Sequence, residues 1–112
     1  MSEEQKIRVV IADDQELVRA GFAMVIGSQP DMAVVGQARD GAEGVALAET
    51  MHPDVVLMDV RMPGMDGIEG ARHLNAVDEP PAVIFTTAYD EYALEAFETQ
   101  AVGYLLKPVR LE

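Results

Sequence analysis

The chain has 112 residues, a formal net charge of −12 and 49% apolar residues. That is enough for one domain with a core, and too apolar for a disordered segment. It contains no cysteine, which excludes a disulfide framework or a thiolate metal site, and so acidic a surface argues against direct binding of DNA or RNA. No apolar stretch approaches the ~20 residues that span a bilayer, so no membrane association is expected. The opening MSEEQKIR lacks the basic and apolar segments of a secretory signal. These features suit a cytoplasmic protein.

In chain order, Lys6 to Ala12 reads as a strand that turns fully apolar before Asp13-Asp14. Residues from Gln15 to Ser28 carry Leu17, Val18, Gly21, Phe22 and Val25 at helical spacing, closed by Gln29-Pro30-Asp31. Met32 to Ala38 is a second strand, Asp40-Gly41 a turn, and Ala42 to Met51 an Ala-rich helix. Pro53 ends that helix, and Asp54 to Asp59 is strand three. A loop rich in Pro and Gly leads to a short helix over Ile68–Ala76. Pro80-Pro81 precedes a fourth strand, Ala82–Thr87. Glu91–Ala101 is an amphipathic helix, and Gly103–Lys107 a fifth strand stopped by Pro108.

Five strands alternating with four helices predict an α/β fold, a parallel sheet with helices on both faces. Strands one, three and four are nearly continuous apolar runs, as strands covered on both faces should be. The whole of 1–112 reads as one domain. A fifth helix should cover the end of the sheet, but the sequence stops at Val109-Arg110-Leu111-Glu112. The expectation is a domain without that helix, either truncated or continued in further sequence, with Leu-Glu as a cloning remnant another reading. A domain left open there is expected to self-associate, as a homodimer or a domain-swapped oligomer.

In an open parallel sheet, ligands bind beyond the carboxyl ends of the strands, near the point where strand order reverses. Here those ends carry Asp13-Asp14, Asp59, Thr87 and Lys107. Taken singly, each has a plainer reading: Asp14 as a helix cap, Thr87 as a strand former, Lys107 as a solvated cation. All five at one sheet edge point to chemistry. Clustered carboxylates repel one another unless a hard cation joins them, and Mg²⁺ fits an oxygen donor set best, with Mn²⁺ the next such ion. With a metal held by Asp13 and Asp14, Asp59 is placed to act as a carboxylate nucleophile toward a phosphoryl group. Lys107 and Thr87 would then contact phosphoryl oxygens.

From Ile7 to Val109 the sequence resembles the receiver domain of two-component response regulators. The motifs that carry the resemblance are IADDQELVRAGF, VLMDVRMPGMDG, FTTAYDEYALEAF and GYLLKPV. It implies a flavodoxin-like (CheY-like) doubly wound five-stranded sheet in the order 2-1-3-4-5, and phosphorylation of Asp59 by a histidine kinase. Asp14 corresponds to the direct metal ligand, Asp13 to an acid that binds metal mainly through water, and the Arg61 backbone carbonyl to a further ligand. Thr87 and Lys107 correspond to the pair that contacts the phosphoryl group, and Tyr104 to the aromatic switch residue. Arg61 and Tyr89 occupy positions that flank the path of an attacking water, which implies slow dephosphorylation. Residues 7–75 look most like receivers of the NarL/FixJ group, and residues 81–110 like LytTR-linked, AlgR-type receivers. A natural mixture and an engineered chimera both stay open, and the partner is an own or fused output domain.

Two other functions compete with this one. An interaction module that is never phosphorylated has no need of all five residues. A phosphatase or phosphotransferase acting on small molecules needs a second acid, commonly two residues after the nucleophile, and that position is Arg61. A glycine-rich nucleotide loop is also absent from the sequence. The chain is therefore expected not to be an enzyme with a separate substrate.

Overall fold

A computed structural model of the chain describes residues 6–87 and 103–106. Within them lie five strands, β1 (Ile7–Ala12), β2 (Met32–Ala38), β3 (Val55–Asp59), β4 (Ala82–Thr87) and β5 (Gly103–Leu106). Among the described residues three helices connect β1 through β4, α1 (Glu16–Gly27), α2 (Gly41–Met51) and α3 (Gly67–Asn75). The helix expected over 91–101 lies outside the described residues. Element ends differ from the sequence reading by about one residue. At the start of β3, for example, Asp54 turns its carboxylate to the Arg8 backbone N–H at 2.8 Å.

The strands form one parallel sheet in the order β2-β1-β3-β4-β5, as the resemblance implies. The chain runs from β1 out to β2, then crosses back to lay β3 on the other side of β1. The order therefore reverses between β1 and β3, which makes their carboxyl ends the expected ligand site.

Side chains alternate across the sheet and divide the core in two. Val10, Ala12, Val56, Met58, Val83 and Phe85 pack on one face with Ala48 of α2 and with Ile68, Ala71 and Leu74 of α3. Val9, Ile11 and Leu57 pack on the other with Phe22 and Ile26 of α1. Beside α1, an apolar groove of about 260 Å³ runs between Phe22, Ile26, Leu57 and Ile84. α1 also turns two large apolar residues outward, Leu17 and Met24, which are 88% and 74% exposed.

At the other end of the sheet, α2 stops at His52, whose φ of 48° is left-handed and whose N–H donates to the Ala48 carbonyl. The Arg8 guanidinium donates to the carbonyls of Met51 and His52, tying this helix end to β1. Replacing His52 with glycine removes the left-handed penalty and should raise stability by about 1 kcal/mol. Leu74 is fully buried, and Leu74→Ala should cost about 2–5 kcal/mol. Urea unfolding followed by circular dichroism checks both; a lower midpoint for His52→Gly would contradict the first.

Candidate functional site

β1 and β3 lie side by side with Ala12 opposite Met58, so each strand delivers an acid to the same edge. Asp13 follows β1 directly, and its N–H extends the pairing to β2 by donating to the Ala38 carbonyl at 3.0 Å. Asp59 is the last residue of β3. Both are buried, at 1% and 6% exposure, whereas Asp14 is exposed. The cluster thus opens to solvent at Asp14. One carboxylate oxygen from each of Asp13, Asp14 and Asp59 lies within 4.8 Å of the other two.

The structure decides against Asp14 as a helix cap. Gln15 is the N-cap of α1, and no side chain caps that end. One oxygen of Asp13 accepts the Gln15 N–H at 2.8 Å, and the Arg19 guanidinium donates to the Asp13 carbonyl at 2.7 Å. The turn between β1 and α1 is thereby fixed while the acids stay together. Three carboxylates at this spacing form a hard, all-oxygen donor set, which fits Mg²⁺ and does not suit a soft metal.

Residues 60–66 form the loop over this edge. The Val60 N–H donates to the Thr86 carbonyl at 3.0 Å, and the Val60 carbonyl accepts the Gly67 N–H at 2.9 Å. Gly64 has a φ of 73°, which lets the chain turn back after Pro63. Arg61 and Pro63 line a polar groove of about 490 Å³ together with Asp14 and Asp66. α3 then starts hard against the site, since a Cβ on Gly67 would fall 2.0 Å from the Asp59 carbonyl oxygen. Only glycine permits that approach.

β4 completes the edge. Asp59 pairs with the buried Thr86, and Thr87 is the last residue of β4, opposite Leu106. Tyr104 lies within β5 opposite Phe85. The structure therefore brings Asp13, Asp14 and Asp59 together, places Arg61 in the adjoining loop, and sets the backbone of Thr87 at the same edge. Lys107 and Tyr89 lie outside the described residues.

A repeated signal escaped the sequence reading. Asp40-Gly41-Ala42-Glu43 and Asp66-Gly67-Ile68-Glu69 share the pattern Asp-Gly-x-Glu. Both open helices. Asp40 accepts the Glu43 N–H at 2.8 Å, and Asp66 accepts the Glu69 N–H at 2.9 Å. Asp40-Gly41 is thus a helix cap and first helical residue, not a free turn. An acid three residues before a Glu is a recognisable helix-start signature, and it was available in the sequence.

Comparison with known proteins agrees with the architecture. The family model described as the response regulator receiver domain matches residues 9–112. The positive alginate biosynthesis regulatory protein of Pseudomonas aeruginosa is 48% identical over 107 residues, covering 95% of this chain and 43% of that protein. The transcriptional regulatory protein YxjL of Bacillus subtilis is 48% identical over 106 residues, covering 93% of this chain and 49% of that protein. The chain thus spans less than half the length of these curated relatives. Among solved structures, the signal receiver domain of the response regulator NarL from Mycobacterium tuberculosis superposes with a TM-score of 0.90 at 37% identity, covering 95% of this chain and 87% of that one. The response regulator domain of Thermotoga maritima CheB gives 0.85 at 37% identity, covering 95% and 84%. The match extends from Val9 in β1 past β5 and takes in the strand ends that carry the acids, so this chain belongs to the response regulator receiver domain family.

Proposed function

We propose that the chain accepts a phosphoryl group on Asp59 from a histidine kinase and, in that state, controls dimerisation or an output domain. Membership of the family makes it a phosphoacceptor receiver, not an enzyme that turns over an external substrate. The observation that carries the reading is the meeting of the Asp13, Asp14 and Asp59 carboxylates within 4.8 Å at the switch point of the sheet. This reading places the chain in the cytoplasm, and among the described residues no helix is long and apolar enough to cross a membrane. The chain acts as one receiver domain within a longer regulator, in keeping with its share of the relatives' length. Its output is transcriptional, as the names of several relatives suggest for them.

Asp13, Asp14 and the Arg61 carbonyl would hold Mg²⁺ with Asp59. When bound, the ion neutralises charge on the phosphoryl oxygens. An oxygen of Asp59 attacks phosphorus. The phosphorus–nitrogen bond of the donor phosphohistidine breaks, its electron pair stays on the ring nitrogen, and uptake of a proton leaves neutral imidazole. Thr87 donates a hydrogen bond to one phosphoryl oxygen and Lys107 offers its charge to another. Phosphorylation draws Thr87 toward the site and frees space that Tyr104 fills by turning inward, changing the face expected of β5 and the helix read over 91–101. Arg61 and Tyr89 flank the approach of water and slow hydrolysis of the aspartyl phosphate.

Incubation with Mg²⁺ and acetyl phosphate should add one phosphoryl group by intact mass spectrometry. Asp59→Asn or excess chelator should abolish the addition; a phosphoryl group still added to Asp59→Asn, or phosphate release that continues undiminished in that variant, would overturn the receiver reading. Tyr89→Ala should lose its phosphoryl group faster than the wild type, by roughly tenfold for an opened water path worth about 1.4 kcal/mol. Equal rates of phosphate release would remove Tyr89 from the mechanism.

A further inference from the structure

The two Asp-Gly-x-Glu helix starts meet each other beside the carboxylate cluster. Gly41, the first residue of α2, is buried against the last residues of the loop that carries Arg61. A Cβ at Gly41 would lie 2.2 Å from the Met65 carbonyl oxygen, 3.0 Å from the Met65 carbonyl carbon and 3.1 Å from the Asp66 carbonyl oxygen. These are backbone atoms, so no side chain can rotate out of the way. The same loop is held at its start by the Val60–Thr86 and Gly67–Val60 backbone bonds. It is therefore fixed at β4 on one side and presses on α2 at the other.

We infer that Gly41 is a positioning residue for the metal site: by bringing the start of α2 against Met65 and Asp66, it sets where the 60–66 loop lies over Asp59. The inference rests on the reading of the carboxylate cluster as a Mg²⁺ site with the Arg61 carbonyl as a ligand. Mg²⁺ accepts little departure from its octahedral geometry, so a small shift of a ligand carbonyl weakens binding. A methyl group at position 41 pushes the Met65 carbonyl back by about 1 Å to reach ordinary contact. Residues 62–65 separate that carbonyl from Arg61, and with Val60 pinned the displacement falls on the segment between them. The segment from Asp40 to Glu43, remote from the acids in sequence, thereby becomes part of the machinery that holds them to a metal.

The test compares Mg²⁺ affinity by titration calorimetry with thermal stability by circular dichroism. Gly41→Ala is measured beside Ile26→Val, a core truncation at the far end of α1. Both should melt earlier than the wild type. Gly41→Ala should bind Mg²⁺ at least about tenfold more weakly, as loss of an outer support does in other metal sites, while Ile26→Val keeps wild-type affinity. Wild-type affinity in folded Gly41→Ala overturns the proposal, and so does equal weakening in both variants. Should Gly41→Ala fail to fold, Asp40→Ala loosens the same junction by removing its cap. Weaker binding there supports the proposal, and unchanged binding overturns it. If the wild type itself binds no Mg²⁺, the metal-site reading fails and this inference with it, an outcome distinct from failure of Gly41 alone.

Discussion

Like charges have to be held together at the edge of this sheet. Asp13, Asp14 and Asp59 bring three carboxylate oxygens within 4.8 Å, and two of the three acids are buried. At such distances the repulsion is on the order of a few kcal/mol per pair near a protein surface. The acids would part if the backbone beneath them could yield. It is held on every side: β1 is paired with β2 and β3, and the end of β3 carries α3 directly against the Asp59 carbonyl. The apolar layers above and below the sheet are what keep this edge rigid. Stability in the core thus holds like charges together at the site, an arrangement that favours a cation there.

The division of labour among the acids follows from their surroundings. Asp40 and Asp66 cap helices, Asp54 reaches the Arg8 backbone, and Asp13 fixes the turn into α1 with one oxygen. Asp14 has no capping task and faces solvent, where an incoming ion would first meet the cluster. Twenty acidic residues in a chain of this size look uniform as composition. In the folded chain Asp40 and Asp66 start helices, while Asp13, Asp14 and Asp59 converge on one point.

Much of this was legible in the sequence. The apolar runs ending in Asp13 and Asp59 marked β1 and β3, and their order in the sheet followed from the resemblance to receiver domains. The acids met because neighbouring parallel strands end together. What did not show was backbone packed on backbone. Gly67 against Asp59 and Gly41 against Met65 leave no hydrophobic period and no charge pattern, since the informative feature is a missing side chain. The register irregularity between Val9 and Val10 was equally invisible, because it shifts β1 against β2 without altering which residues are apolar. Helix ends were read to within about a residue, the usual play where side-chain caps compete with the last backbone bonds.

The alternation that splits the core also limits how such a domain can change over time. Val9 and Ile11 belong to one layer, Val10 and Ala12 to the other, and the first acid comes next. Substitution of one aliphatic residue by another leaves that frame in place. Loss or gain of a single codon within β1 or β3 does not, because it exchanges the two layers for every residue that follows and rotates the terminal acid by half a repeat. The lengths of these two strands are therefore inherited as strictly as their chemistry. Insertions have to accumulate instead in segments where no layer and no ligand is being counted.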